Sequence, residues 1–260
     1  MLWTVALLVV AALAVTLLLT LPGGDDDPAG ADPPADNSES PVGTALAEWA
    51  GTQLGDDTGI AATDDARTAL VAAGVAEDRL LPPGSDAPGT LSVVEGEPPA
   101  GAVVLARFGD PAVLSLVDPA PGRPTADQLS RRERLSRAVL ANPVTGATGR
   151  AADVLGTGNV DARLLGLLAG LAAQLGVGIG DFPPPAGAPA DGPPARTVLI
   201  DRSGGTPLEP GSRDTERLLD YIEAQLPPFA PDTVEVTDDG VLVGFHYESA
   251  PDALVDAATP

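Results

Sequence analysis

His246, in "VLVGFHYE", is the single histidine of this 260-residue chain, and it is where a search for chemistry begins. An imidazole oriented by a carboxylate can act as general base to a serine, so the reaction it could support is hydrolysis by a Ser, His and Asp or Glu set. Val241, Val243, Phe245 and Tyr247 alternate along a strand pattern, which puts His246 on the opposite, more polar face. The inviting serine is Ser203 in "DRSGGTP", yet no G-x-S-x-G elbow surrounds it and no helix follows directly, so the stretch reads as a turn. Gly156-x-Gly158 in "GTGNVDARLLG" precedes a helix, but the third glycine of a phosphate cradle is missing and no good strand leads into it. The carboxylate pairs Asp64-Asp65 and Asp238-Asp239 fall at a helix start and a turn, where capping accounts for them, and no glycosidase pair is assigned. Asp25-Asp26-Asp27 does not space ligands as a calcium loop does. No catalytic, metal or cofactor-binding residue is therefore assigned, and the expectation is a protein that is not an enzyme. What stands out instead is Arg131, Arg132, Arg134 and Arg137, the only basic cluster. It reads either as a docking patch for an acidic partner or as a helix face paired with nearby carboxylates such as Asp127 and Glu133.

Composition narrows the field further. The chain has 37 acidic and 14 basic residues and a formal charge of −23, which repels nucleic-acid phosphates and anionic lipid head groups. All the basic residues are arginine, so there is no phosphate-loop lysine and no Schiff base. With no cysteine, disulfides, thiolate nucleophiles, cysteine-ligated zinc, iron–sulfur clusters and a lipid-modified N-terminal cysteine are excluded. A hydrophobic content of 44% is nonetheless enough to build a core.

The elements that must position any site begin after an unusual N-terminal region. Leu2 to Leu21 is uncharged and 20 residues long, about the ~20 that a helix needs to cross a bilayer. It lacks the basic start, the shorter apolar run and the small residues at the exit that mark a cleaved signal, so residues 1–22 are expected to be an uncleaved transmembrane anchor. No Lys or Arg occurs before Arg67, so the positive-inside rule says nothing of orientation; resemblance to an export signal points to an extracytoplasmic body. Residues 23–41 carry six acidic side chains and four prolines, and read as a disordered acidic linker.

The fold class expected beyond the linker is α/β (α+β), in two small units. Residues 42–122 hold a helix in "TALAEWAGTQL" with Leu46, Trp49 and Leu54 on one face, a short strand in "TGIAAT", a helix in "DDARTALVAAGV" and β-branched strand runs. Residues 124–250 start with the capping-box pair Thr125 and Gln128, opening a helix to about Ala141. A leucine-rich core helix in "NVDARLLGLLAGLAAQLG" follows, then a strand, the proline-rich loop 183–194, the strand "ARTVLIDR" and a helix with Leu218, Leu219, Ile222 and Leu226 on one face. The unit ends in an antiparallel hairpin around Asp239-Gly240, with Val234 and Val236 on one strand and Val241 onward on the other lining its buried face. Residues 251–260 read as a disordered tail.

"AVLANP", "GNVDARLLGLLAGLAAQLGVGIGDF", "VLIDRSGGTPL" and "YIEAQLPPFAPDTVEV" together make residues 135–255 resemble a group of actinobacterial single-pass membrane-anchored or secreted proteins. That resemblance implies location and architecture and carries no activity. The same order is similar to peptidoglycan D,D-carboxypeptidase-like domains, whose zinc site needs several histidines; with His246 alone, the resemblance implies binding of cell wall without cutting it. The expectation is thus a membrane-anchored, extracytoplasmic, non-enzymatic binding or assembly module of the cell envelope, with an envelope protein as partner. The alternatives are small-molecule or cell-wall binding, with a small molecule captured between the two α/β units, and a hydrolase using His246.

Overall fold

Helix α1 (Pro41–Gln53) forms because Leu46, Trp49 and Ala50 recur at helical spacing and bury one stripe, which Leu54 extends just beyond its end. It opens the part of the chain described by the computed structural model, residues 41–85, 87–110 and 114–259. The expected anchor Leu2–Leu21 and residues 23–40 of the expected linker lie outside the described residues; Pro41, the last of that linker, is already helical. Among the described residues no helix is long and apolar enough to cross a membrane.

Among the described residues the fold is mixed α/β, with seven α-helices and two sheets. The first sheet has the order β2-β1-β3-β5-β4, from β1 (Ile60–Ala61), β2 (Leu80–Leu81), β3 (Leu91–Glu95), β4 (Val103–Phe108) and β5 (Leu114–Asp118). β1 pairs parallel with β2 and β3, whereas β3, β5 and β4 run antiparallel. Helix α2 (Asp64–Ala72) packs beside α1; Gly74 takes the positive φ of 95° that lets the chain leave it, and Val75 N–H bonds back to the Leu70 carbonyl at 2.9 Å.

The second sheet has the order β10-β11-β8-β7-β6, from β6 (Gly146–Ala147), β7 (Val177–Asp181), β8 (Thr197–Ser203), β10 (Thr233–Thr237) and β11 (Gly240–Gly244), with β9 (Thr206–Pro207) paired to β8. Helix α3 (Ala126–Ala141) starts at the capping box expected of Thr125 and Gln128, both bonds of which are present. Between α3 and the leucine-rich helix lies a further helix, α4 (Arg150–Thr157), that is not among the expected elements. Gly158, weighed above as half of a phosphate cradle, is its left-handed C-cap at φ 66°. Helix α5 (Ala162–Gln174) is the hub: Leu164, Leu165, Leu167, Leu168 and Leu171 are all buried, and the helix contacts both α3 and α7 (Pro251–Ala258). Its glycines admit bulky neighbours, since a Cβ on Gly166 would stand 2.6 Å from the Phe229 ring.

Four expectations need correction. Residues 251–258 of the expected tail are the helix α7, with Asp252 and Val255 buried. The turn between β10 and β11 is Asp238-Asp239, because Thr237 pairs with Gly240, which begins β11. Val234 and Val236 are exposed although they face Val243 and Val241 across the ladder, because β10 is the edge strand and overhangs the core. Leu226 is exposed, lying beyond the end of α6 (Arg213–Glu223), while Leu218 and Ile222 are buried. The described residues fall in one compact unit, in which each sheet has its own apolar cluster.

Candidate functional site

The chain leaves β11 as Phe245–Ser249 and ties the two halves together. Phe245 N–H donates to the Arg196 carbonyl at 2.9 Å, and Tyr247 N–H donates to the carbonyl of Gln53 on α1 at 2.8 Å. The Tyr247 hydroxyl donates to Asp118 Oδ2 at 2.7 Å, Ser249 Oγ bonds the same oxygen, and Ala120 N–H donates to Asp118 Oδ1 at 2.9 Å. Asp118, at the end of β5, is buried, and this set of donors is what allows a carboxylate there. Burial raises the Tyr247 pKa far above its ordinary value, and the bond to Asp118 raises it further, so the phenol stays a neutral donor.

Beside this strap lies a cleft of about 370 Å³, lined from both halves: Gly101 in the turn before β4 and Val103 at its start, Pro121–Pro124 of the connection, Arg132 of α3, Asp161, Asp191–Pro194 of the proline-rich loop, Arg196 and Tyr247–Ser249. Two of its charges are internally matched. The Arg132 guanidinium forks onto Asp252 of α7, with Nε to Oδ1 at 2.8 Å. Asp161, which also caps α5, takes Nε and Nη2 of Arg163 at 3.1 and 3.0 Å.

Arg196 differs from both. It is only 3% exposed, yet its hydrogen bond among the described residues is Nη2 to Gln53 Oε1 at 2.9 Å, and its Nε has no partner there. The Trp49 and Tyr247 rings each lie 5.7 Å from its Cζ, and Trp49 Nε1 is a second buried donor without an acceptor. Desolvation pushes the Arg196 pKa down to about 10, against the raising effect of Asp161, so the group stays cationic at neutral pH at a cost.

The residues singled out in the sequence are dispersed. Arg131 pairs with Asp256 of α7, and Gln128 Nε2 donates to the same carboxylate at 2.7 Å. Arg132 is buried, so these two of the four arginines clamp the chain's own C-terminal helix rather than Asp127 and Glu133. Arg134 bonds Ser130 Oγ at 2.8 Å and Arg137 the Glu133 carbonyl at 3.2 Å, both on the exposed side of α3. The His246 imidazole faces Asp232, with Nδ1 at 3.5 Å from Oδ1. His246 follows Gly244, which pairs with Thr197 at one end of β8, whereas Ser203 ends that strand six residues on, roughly 20 Å away at the usual rise per residue. Ser203 is buried and joins β9 through Gly204-Gly205, both at positive φ, the two-residue turn. These two residues cannot form a nucleophile and base pair in this fold.

Arg196, Tyr247, Asp118 and Gln53 were not marked by the sequence, since they are far apart in it and match no motif. A lone arginine opening an apolar strand, in "ARTVLIDR", was the available signal. Among the described residues no group of three or more His, Asp and Glu could hold a metal ion. No family model, no curated protein and no solved structure matches the chain.

Proposed function

We propose that this protein is a non-enzymatic binding module of the cell envelope, held at the membrane by Leu2–Leu21 with residues 39–260 outside the cytoplasm, and that the cleft at Arg196 is where it binds. The uncharged 20-residue run and the acidic, proline-containing stretch behind it support the anchored placement. The observation that carries the binding reading is Arg196, a buried cation on the cleft wall with no carboxylate partner among the described residues. Folding the chain around a buried guanidinium that has no carboxylate hydrogen-bonded to it costs stability, and a bound anion that supplies one offsets that cost.

The placement is tested by the intact mass of the protein from its own membranes together with protease applied to whole cells. A full-length mass with the body clipped from outside is expected; a mass beginning near Asp25, or a protected body, refutes it. The exposed Arg134 and Arg137 motivate a second reading, an envelope protein docked on α3. Crosslinking in intact cells that recovers a partner through α3, and loses it on Arg134→Ala with Arg137→Ala, is the expected result of that reading. Recovery of no partner removes it.

A further inference from the structure

Resting on the reading of the cleft as a ligand site, we infer that its ligand is a small organic carboxylate with an apolar body, the carboxylate held by the Arg196 guanidinium. Three arginines are buried among the described residues, and two of them, Arg132 and Arg163, each fork onto an aspartate of the chain itself. A planar guanidinium is built for such two-point contact with a carboxylate, and Arg196 is the one left without it. Trp49 and Tyr247 steady the cation with their rings but give it no hydrogen-bond acceptor from those faces.

The rest of the cleft selects the body and the charge of the ligand. Val103, Pro121, Pro124, Pro193 and Pro194 line it, an apolar surface whose prolines have almost no side-chain freedom to lose when a hydrocarbon group settles on it. At about 370 Å³ the space is near the small end of the range for ligand pockets, about 300–1,000 Å³. With Asp161 taken by Arg163 and Arg132 by Asp252, the cleft's other charges are Arg123, Asp191 and Glu248 beside Arg196, a nearly balanced lining that suits a single negative charge better than a phosphate dianion. The depressed Arg196 pKa agrees, since an anion there restores what desolvation removes.

The test uses the full chain in detergent micelles with Trp3→Phe, which leaves Trp49 as the sole tryptophan and a reporter beside Arg196. The probes are sodium cyclohexanecarboxylate, the neutral cyclohexanecarboxamide and inorganic phosphate. The carboxylate is expected to change Trp49 emission saturably and raise Tm, with affinity at least tenfold above the amide and phosphate. The response should vanish in Arg196→Met and weaken in Arg196→Lys, which keeps the charge but not the fork. Should Arg196→Met not fold, Val103→Phe, which fills the cleft from β4, must abolish the response; binding that survives it overturns the assignment. Equal binding of the amide overturns the carboxylate and leaves the cleft reading standing, and tighter binding of phosphate overturns the charge selection. If all three probes are silent the inference falls. The cleft reading falls with it only if a set of uncharged fragments is silent as well.

Discussion

Arg196→Met separates a group kept for binding from a group kept for folding. Burial lowers the Arg196 pKa from its ordinary value to about 10, so the buried charge costs the folded state on the order of a few kcal/mol. Against this stand the charged hydrogen bond to Gln53, worth about 1.5–3 kcal/mol, and two aromatic contacts at about 0.5–2 kcal/mol each. Methionine retains most of the apolar stem and its packing. The opposing contributions are of similar size, so the ligand-free variant should lie within about 1 kcal/mol of wild type, a Tm change of about 2–4 °C for a body of this size. The assay is thermal and urea unfolding of the full chain followed by far-UV circular dichroism at neutral pH. Because the folded pKa is below the unfolded one, the penalty is complete below about pH 10 and fades as pH rises from there through the ordinary arginine range, so wild type should gain on the variant only in strong alkali. A loss above about 3 kcal/mol in Arg196→Met would refute the reasoning and make the residue a structural support.

Three further outcomes follow from the same contacts. Arg132→Met leaves Asp252 buried and uncompensated and should cost about 3–5 kcal/mol by urea unfolding, while Arg132→Met with Asp252→Leu should recover most of it. Gln128 and then Arg131 lower the pKa of Asp256, so its stabilising contribution is present above the ordinary carboxylate range and is lost as pH falls through the folded value; the protection of α7 amides, relative to their intrinsic exchange at each pH, should fall at acid pH, and Asp256→Asn should abolish that dependence. Tyr247→Phe removes one donor from buried Asp118 and should cost about 1–3 kcal/mol, less than Asp118→Ala, because Ser249 and Ala120 remain; equal losses would show that the phenol bond is not what holds the strap.

Local signals carried most of the elements. The leucines of α5, the Thr125 and Gln128 box, the Ser212 start of α6 and the strand alternation of β11 are each decided within about one or two turns or pleats of chain, so the sequence reports them directly. Helix α4 is legible too, in the spacing of Ala151 and Leu155 ahead of Gly158, although at eight residues with a glycine inside it its helical signal is weak. The tail reads as disordered because α7 is short and flanked by proline and polar residues; what holds it is Asp252 and Asp256, whose arginine partners are more than a hundred residues earlier. For the same reason Val234 and Val236 were read as buried, since alternation gives the face of a strand and not its place in the sheet.

By itself the sequence determined the exclusions, the uncharged N-terminal run and the α/β order, because composition and period are properties of consecutive residues. Only the tertiary structure decided which charges meet. It took Arg131 and Arg132 out of an apparent patch, set Ser203 and His246 at opposite ends of β8, and brought Gln53, Trp49, Asp118, Arg196 and Tyr247 together across the two sheets. Pairing of buried polar groups depends on distance through space, and that distance exists only once both apolar clusters have closed.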